Sequence, residues 1–192
     1  MTTIYKIREL GLLTIETATG KARDLLDAAK RQLGFVPNMY GAMANEPALL
    51  EAYSTTYAAF RRDAGFTPIE QELIFLVISR ANFCHYCMAA HSFVADKMSK
   101  VPTEVTDAVR DGRAIPDSRL QALATFTHVM VEMRGRPSEG AVREFLAAGY
   151  SERNILGVIL AIGVKTYSNY ANHLFHTPVD DVFASRVWKE AA

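Results

Sequence analysis

The sequence predicts an all-α fold: a helical bundle forming a single domain over residues 1–192, built around a Cys-x-x-Cys helical hairpin. Three observations predict it. Apolar residues recur at three- and four-residue spacings, and no segment keeps a convincing period of two. Helix start and stop signals punctuate these stretches. Glycine (11) and proline (7) are few, which argues against a turn-rich all-β domain. A length of 192 residues suits one domain, or two merged halves, at about 100–200 residues per domain. A hydrophobic content of 49% supplies a sizeable core.

The elements follow in order. Residues 21–33 carry Ala22, Leu25, Leu26, Ala29 and Leu33 on one stripe, and Gly34 stops the helix. Phe35-Val36-Pro37-Asn38 reads as an extended link, and residues 39–44 as one or two helical turns. Glu46-Pro47 opens a helix over 48–62 that ends near Gly65. Thr67-Pro68-Ile69-Glu70 is the clearest start: Thr67 as N-cap, Pro68 in the first turn, Glu70 completing a capping box. That helix runs to about Asn82. The next starts near Cys84 and ends near Ser99, before Pro102. Further helices are expected over 103–111, 117–133 and 138–148, the last closed by Gly149. Ser151 caps a segment reaching about His176, and 180–190 form a short closing helix. The β-branched residues within 74–78 sit inside a capped span of helical length, so they are read as helix.

An internal echo links Ala64-Gly65-Phe66-Thr67 to Ala148-Gly149-Tyr150-Ser151. Each precedes an apolar stretch of similar length that reaches a histidine, His91 or His173. Two readings are open: chance likeness of two buried helix starts, or a duplicated hairpin whose first copy alone keeps cysteines.

Composition narrows the function. Lys+Arg and Asp+Glu both number 21, so there is no net basic footprint for nucleic acid. Charge at 22% and aromatics at 10% exclude a disordered chain. The longest apolar runs, 73–78 and 155–164, fall far short of the roughly 20 residues needed to span a bilayer. Residues 1–13 mix charged with apolar residues and show no leader-type apolar stretch. A cytoplasmic protein without membrane partners is expected. The two cysteines, Cys84 and Cys87, are too few for a disulfide scaffold. Their closeness suggests redox or metal chemistry.

Cys84 and Cys87 are three residues apart, and Cys87 and His91 four, so all three line one helix face. Thiols in a helix's first turn feel its positive end, which favours thiolate. A neighbouring histidine can take the thiol proton. A thiolate beside a second thiol can attack peroxide, become a sulfenic acid and condense to a disulfide. Glu72 lies on the preceding helix; if the two helices pack as a hairpin, its carboxylate can orient or charge His91 as an acid–base partner.

The pattern Glu72, Ser79, Asn82-x-Cys84-x-x-Cys87-x-x-x-His91 resembles the alkylhydroperoxidase D branch of the carboxymuconolactone decarboxylase superfamily. Phe35-Val36-Pro37-Asn38-Met39 and Ala148-Gly149-Tyr150-Ser151 are similar to its peroxidase-related members. The resemblance implies an all-helical, oligomeric thiol peroxidase. It assigns peroxide attack to Cys87, disulfide closure to Cys84, and a proton relay to His91 and Glu72. It implies no tightly bound cofactor, a small peroxide substrate, and a dihydrolipoamide-like dithiol or dithiol-carrying protein as reductant. The superfamily's decarboxylases lack the cysteine pair. One departure is that Tyr86 stands where the pattern has a second histidine, while His85 lies one residue earlier and off the cysteine face. Tyr86 can donate a hydrogen bond but titrates near 10. Phe83 occupies a place where a small residue is common.

Plainer readings stand beside these. The cysteines can be unreactive core thiols, or zinc ligands with His91 and Glu72, supplemented by His173 and His176. Glu72 can be a first-turn carboxylate favoured by the helix dipole. Ser79 reads as packing, Asn82 as a cap for the cysteine helix, His85 as exposed or interfacial, and His128 as a surface residue. Arg61-Arg62-Asp63 reads as a solvated helix end. Asn169, Asn172, His173 and His176 form a polar stripe that satisfies a helix end or subunit contact, or else walls a cavity opposite the cysteines. Rivals to the peroxidase are a lyase acting on a small carboxylated lactone and a non-catalytic helical module.

Overall fold

The computed structural model describes residues 4–189. Among these, no strand forms, and nine α-helices are followed by one short 3-10 helix. The helices are α1 (Gly20–Leu33), α2 (Asn38–Met43), α3 (Pro47–Asp63), α4 (Pro68–Ala81) and α5 (His85–Lys97). They continue as α6 (Thr103–Asp111), α7 (Ser118–Glu132), α8 (Glu139–Ala147) and α9 (Glu152–Phe175). Expected and observed ends differ by a residue or two, chiefly because capping residues stand just outside the helices they start or stop.

The caps explain where the helices begin. Thr67 and Glu70 exchange both hydrogen bonds of a capping box at α4. Asp117 accepts from the Leu120 N–H at 2.8 Å, and Ser138 from Ala141 at 3.2 Å. Ser151 and Asn154 form a second capping box at α9. The internal echo is therefore a shared way of starting a helix. Beyond the start the stretches diverge: α9 runs unbroken, whereas its counterpart breaks between α4 and α5.

That break positions the thiols. Phe83 takes a left-handed conformation, φ 54°, and the Cys84 N–H reaches back to the Ser79 carbonyl at 2.9 Å. The chain stops α4, reverses and restarts with Cys84 as the N-cap of α5. A left-handed non-glycine residue costs roughly 1–2 kcal/mol, so α5 packing against α4 must hold the turn. α4 is the axis of the bundle and packs against α5, α6, α7 and α9. Leu73, Ile74, Phe75, Leu76, Val77 and Ile78 are all buried, as a helix apolar on every side must be. α9 presses on the α3–α4 corner through Gly157, where a Cβ would stand 2.8 Å from the Phe66 ring.

The C-terminal end departs from expectation. Residues 180–190 were expected as a helix, but the chain makes a 3-10 helix over Asp181–Arg186 and then turns extended at Val187. Residue 190 lies outside the described residues. The physical reason is competition for carbonyls. Arg110 donates to the Arg186 and Val187 carbonyls, and the His85 ring donates to the Trp188 carbonyl. Arg186 is tied to Asp96 and Asp107, and the Trp188 indole to the Arg110 carbonyl. The segment is a strap over α5 and α6, not a free helix. No single helix among the described residues is long and apolar enough to cross a membrane.

Candidate active site

Cys84 and Cys87 are both free and buried at the start of α5, one as its N-cap and the other in its first turn. No side chain caps that turn, so the positive end of the helix is left to the sulfurs. From α9, the Asn172 side-chain amide donates to Cys87 Sγ at 3.3 Å and lies 3.9 Å from Cys84 Sγ. The polar stripe thus walls the site. Asn172, His173, His176 and Thr177 line a cavity of about 700 Å³ together with Cys84, Phe83 and Tyr86.

Glu72 and His91 meet as hairpin packing predicts: the His91 Nδ1–H donates to Glu72 Oε2 at 2.9 Å. Glu72 is not a first-turn carboxylate. It is fully buried two residues further along α4, and Glu70 holds the dipole-favoured place. The other Glu72 oxygen takes a short ion pair from Arg61. Arg61 therefore does not belong to a solvated helix end, although Arg62 and Asp63 do. Its guanidinium also donates to the Tyr57 hydroxyl at 2.7 Å and to Gln71 at 3.1 Å, and lies over the Phe75 ring.

The electrostatics follow from burial and partners. Burial alone would raise Glu72, but the His91 hydrogen bond and the Arg61 charge hold it below the usual carboxylate range. Burial and then the Lys165 charge push His91 below its ordinary value, outweighing Glu72. The pair is thus carboxylate with neutral imidazole. Burial and the neighbouring sulfur raise Cys84. Cys87 lies well below its ordinary value: burial opposes this, but the Cys84 hydrogen bond, Lys165 and His91 overcome it. The two shifts run in opposite directions, so Cys87 is the sulfur disposed to carry negative charge.

Lys165 escapes a pattern reading. It sits on α9, fully buried, with Nζ 5.5 Å from the centre of the Phe75 ring. A signal exists: it is the only Asp, Glu, Lys or Arg between Arg153 and Asp180.

The supporting residues resolve differently. The Ser79 hydroxyl donates to its own helix at the Phe75 carbonyl, 2.6 Å, and is packing. Asn82 does not cap α5; its amide donates to Asn169 Oδ1 at 2.9 Å and joins the hairpin to α9. Tyr86 is buried, and its hydroxyl donates to Asp180, which also accepts from the Asn38 N–H at 3.0 Å. It is committed to the strap rather than to the thiols. Tyr86→Phe should lower stability by about 1.5–3 kcal/mol, the worth of a hydrogen bond to a charged group; a urea unfolding midpoint equal to that of the parent would refute this role. His85 and His128 are exposed. Among the described residues, no three His, Cys, Asp or Glu side chains converge to hold a metal ion. The zinc reading is not supported by this geometry, in which His91 Nδ1 is engaged with Glu72.

Comparisons with known proteins agree with this fold. Residues 47–128 match the model of the carboxymuconolactone decarboxylase family. That segment carries Arg61, Glu72, both cysteines and His91; Lys165 and Asn172 lie beyond it. No curated protein matches the chain. Among solved structures, it is similar to an alkylhydroperoxidase AhpD core, an uncharacterized peroxidase-related protein from Ralstonia eutropha JMP134. That match has 22% identity and a TM-score of 0.79, covering 98% of this chain and 100% of the other. An uncharacterized peroxidase-related protein from Silicibacter sp. TM1040 gives 20% identity and a TM-score of 0.77, covering 96% and 100%. The debrominase Bmp8, as a cysteine-to-alanine variant in complex with 2,3,4-tribromopyrrole, gives 16% and 0.77, covering 94% and 96%. At these identities the likeness is one of fold. Residues 47–128 thus match the carboxymuconolactone decarboxylase family, and the chain as a whole has the fold of the alkylhydroperoxidase D-like, peroxidase-related proteins.

Proposed function

We propose that this protein is a thiol-dependent, alkylhydroperoxidase-like oxidoreductase that reduces peroxides through a Cys84–Cys87 dithiol/disulfide cycle. One observation carries the reading: two adjacent thiols at a helix start share the Asn172 amide beside a buried Glu72–His91 pair. The Cys87 thiolate attacks the terminal peroxide oxygen. An S–O bond forms as the O–O bond breaks, and the departing alkoxide takes a proton from solvent water passed on through His91 Nε2, while Glu72 holds the ring by Nδ1–H. Cys84 then attacks the sulfenic sulfur. The S–S bond forms, and hydroxide leaves with the Cys84 proton as water. A dithiol of the dihydrolipoamide kind, free or carried on a partner protein, returns two electrons and is itself oxidised to a disulfide.

Other features support parts of this reading. The cavity admits a small hydroperoxide, and the buried atoms Asn172 Oδ1 and Thr177 Oγ1 have no hydrogen-bond partner among the described residues. Two free thiols suit a reducing compartment such as the cytoplasm. Leu156, Ile159, Tyr170 and Leu174 stand exposed along α9, a stripe suited to contact between copies in a homo-oligomer. The lyase rival needs a cation aimed into the cavity. Arg61 instead pairs with Glu72, and His173 is pushed below its ordinary value by burial.

The test is direct. Purified protein with dihydrolipoamide should consume hydrogen peroxide or an organic hydroperoxide catalytically. One equivalent of peroxide alone should remove both thiols and lower the intact mass by two hydrogens. No consumption, with both thiols still reactive after peroxide, would leave the non-catalytic module as the better account.

A further inference from the structure

The charges buried around the thiols do not balance without Cys87. Arg61 and Glu72 answer one another. Lys165 adds a second cation, 0% exposed, and its Nζ has no hydrogen-bond partner among the described residues. An unpaired buried ammonium is expensive, so the fold should place an anion beside it. Glu72 is already engaged by Arg61 and His91. Lys165 and Asn172 are seven residues apart on α9, two turns along one face, and Asn172 holds Cys87 Sγ. The Phe75 ring completes the enclosure, with Lys165 Nζ 5.5 Å from its centre and the His91 ring 4.8 Å away.

We propose that Lys165 is the resident counter-cation of the Cys87 thiolate, a positioning residue that decides which of the two sulfurs carries the charge. This deepens the dithiol reading and rests on it. It also sets the direction of reduction. Cys84 faces the cavity, whereas Cys87 does not line it. The reductant's thiolate attacks Cys84 Sγ, and the S–S bond breaks so that Cys87 leaves as the thiolate beside Lys165. A thiol of lower pKa leaves faster. The mixed disulfide at Cys84 is then resolved by the second thiol of the reductant.

The other groups near Cys87 do not replace Lys165. From α3, burial pushes Tyr53 and Tyr57 up, which keeps them neutral, and Arg61 is paired with Glu72 of α4. On α5, Tyr86 is pushed up likewise and His91 is held neutral. His173 of α9 is pushed down by burial.

The experiment uses the full chain with Cys84→Ser, so that Cys87 is the sole thiol. Thiolate ultraviolet absorbance is followed against pH with Lys165 present, with Lys165→Met and with Lys165→Arg. The methionine variant should move the midpoint up by at least about one pH unit, an approximately tenfold loss of thiolate at pH below the midpoint. Arginine should restore most of it. An unchanged midpoint in folded Lys165→Met protein overturns the proposal. Should that variant fail to fold, the carbon-13 shift of the Lys165 side chain in the Cys84→Ser protein serves instead. It should move when iodoacetamide caps Cys87, and no movement is equally fatal. Neither readout uses peroxide. A chain without peroxidase activity but with a Lys165-dependent thiolate would fail the proposed function and keep this inference.

Discussion

Replacing Cys87 by serine is expected to remove dithiol-dependent peroxide consumption by on the order of a thousandfold or more, because the nucleophile itself is lost. A serine hydroxyl stays protonated where the thiol is ionised, and neither the Asn172 amide nor the start of α5 can bring it into the range of a thiolate. The fold should survive. Serine is close to cysteine in size, and it retains the Asn172 contact in a position only 2% exposed. Cys84→Ser should behave differently. It should consume one equivalent of peroxide, stop as a sulfenic acid that dimedone traps, and fail to turn over. Colorimetric peroxide consumption, with dimedone adducts read by mass, separates the two. If Cys87→Ser turns over and Cys84→Ser does not, the nucleophile is Cys84, the sulfur that lines the cavity.

The second large effect is on stability. Glu72→Gln removes the charge that Arg61 and His91 share, so a buried pair is broken from one side. The cost should be about 3 kcal/mol, the low end for such a loss because Arg61 keeps some access to solvent. The pH dependence has a definite sign. Glu72 titrates below its unfolded value of 4.5, so its contribution is complete above that value and is lost as pH falls through the lower folded value. His91 is also held below its unfolded value of 6.5. The unfolded chain takes that proton first, so stability begins to fall as pH drops below about 6.5. Calorimetry from about pH 7 down to about pH 2 should show the parent's Tm declining in these two stages, and Glu72→Gln should lose the lower one. A lower stage of undiminished slope in the variant would remove Glu72 from this account.

The fold is legible because its decisive signals are local. A capping box, a proline in the first turn and a left-handed glycine lie within a few residues of the ends they set, as at Thr67–Glu70 and Gly34. The pairing of Glu72 with His91 is legible for a related reason: one tight turn joins the two helices, so the hairpin dictates which faces meet. What escapes is set by distant packing. Arg61 and Arg62 are adjacent and look alike, yet the roughly 100° between consecutive helical residues sends Arg61 to a buried carboxylate and Arg62 to water. Asn82 reads locally as a cap but is claimed by Asn169, eighty-seven residues away. The closing helix is lost because Arg110 and His85 take its carbonyls, a competition invisible within residues 180–190.

The Asn172 amide also bears on the order in which this chain is made. Its two sulfur partners lie 85 and 88 residues earlier. During synthesis, N-terminal parts emerge first. Cys84 and Cys87 therefore leave the ribosome well before Asn172 and Lys165 exist to act on them. Until α9 docks they are ordinary thiols, poor nucleophiles at neutral pH. On the proposed dithiol reading, a nascent chain carries a disarmed pair, and reactivity toward oxidants is expected only with the completed bundle. On that reading, folding itself is the step that arms the site.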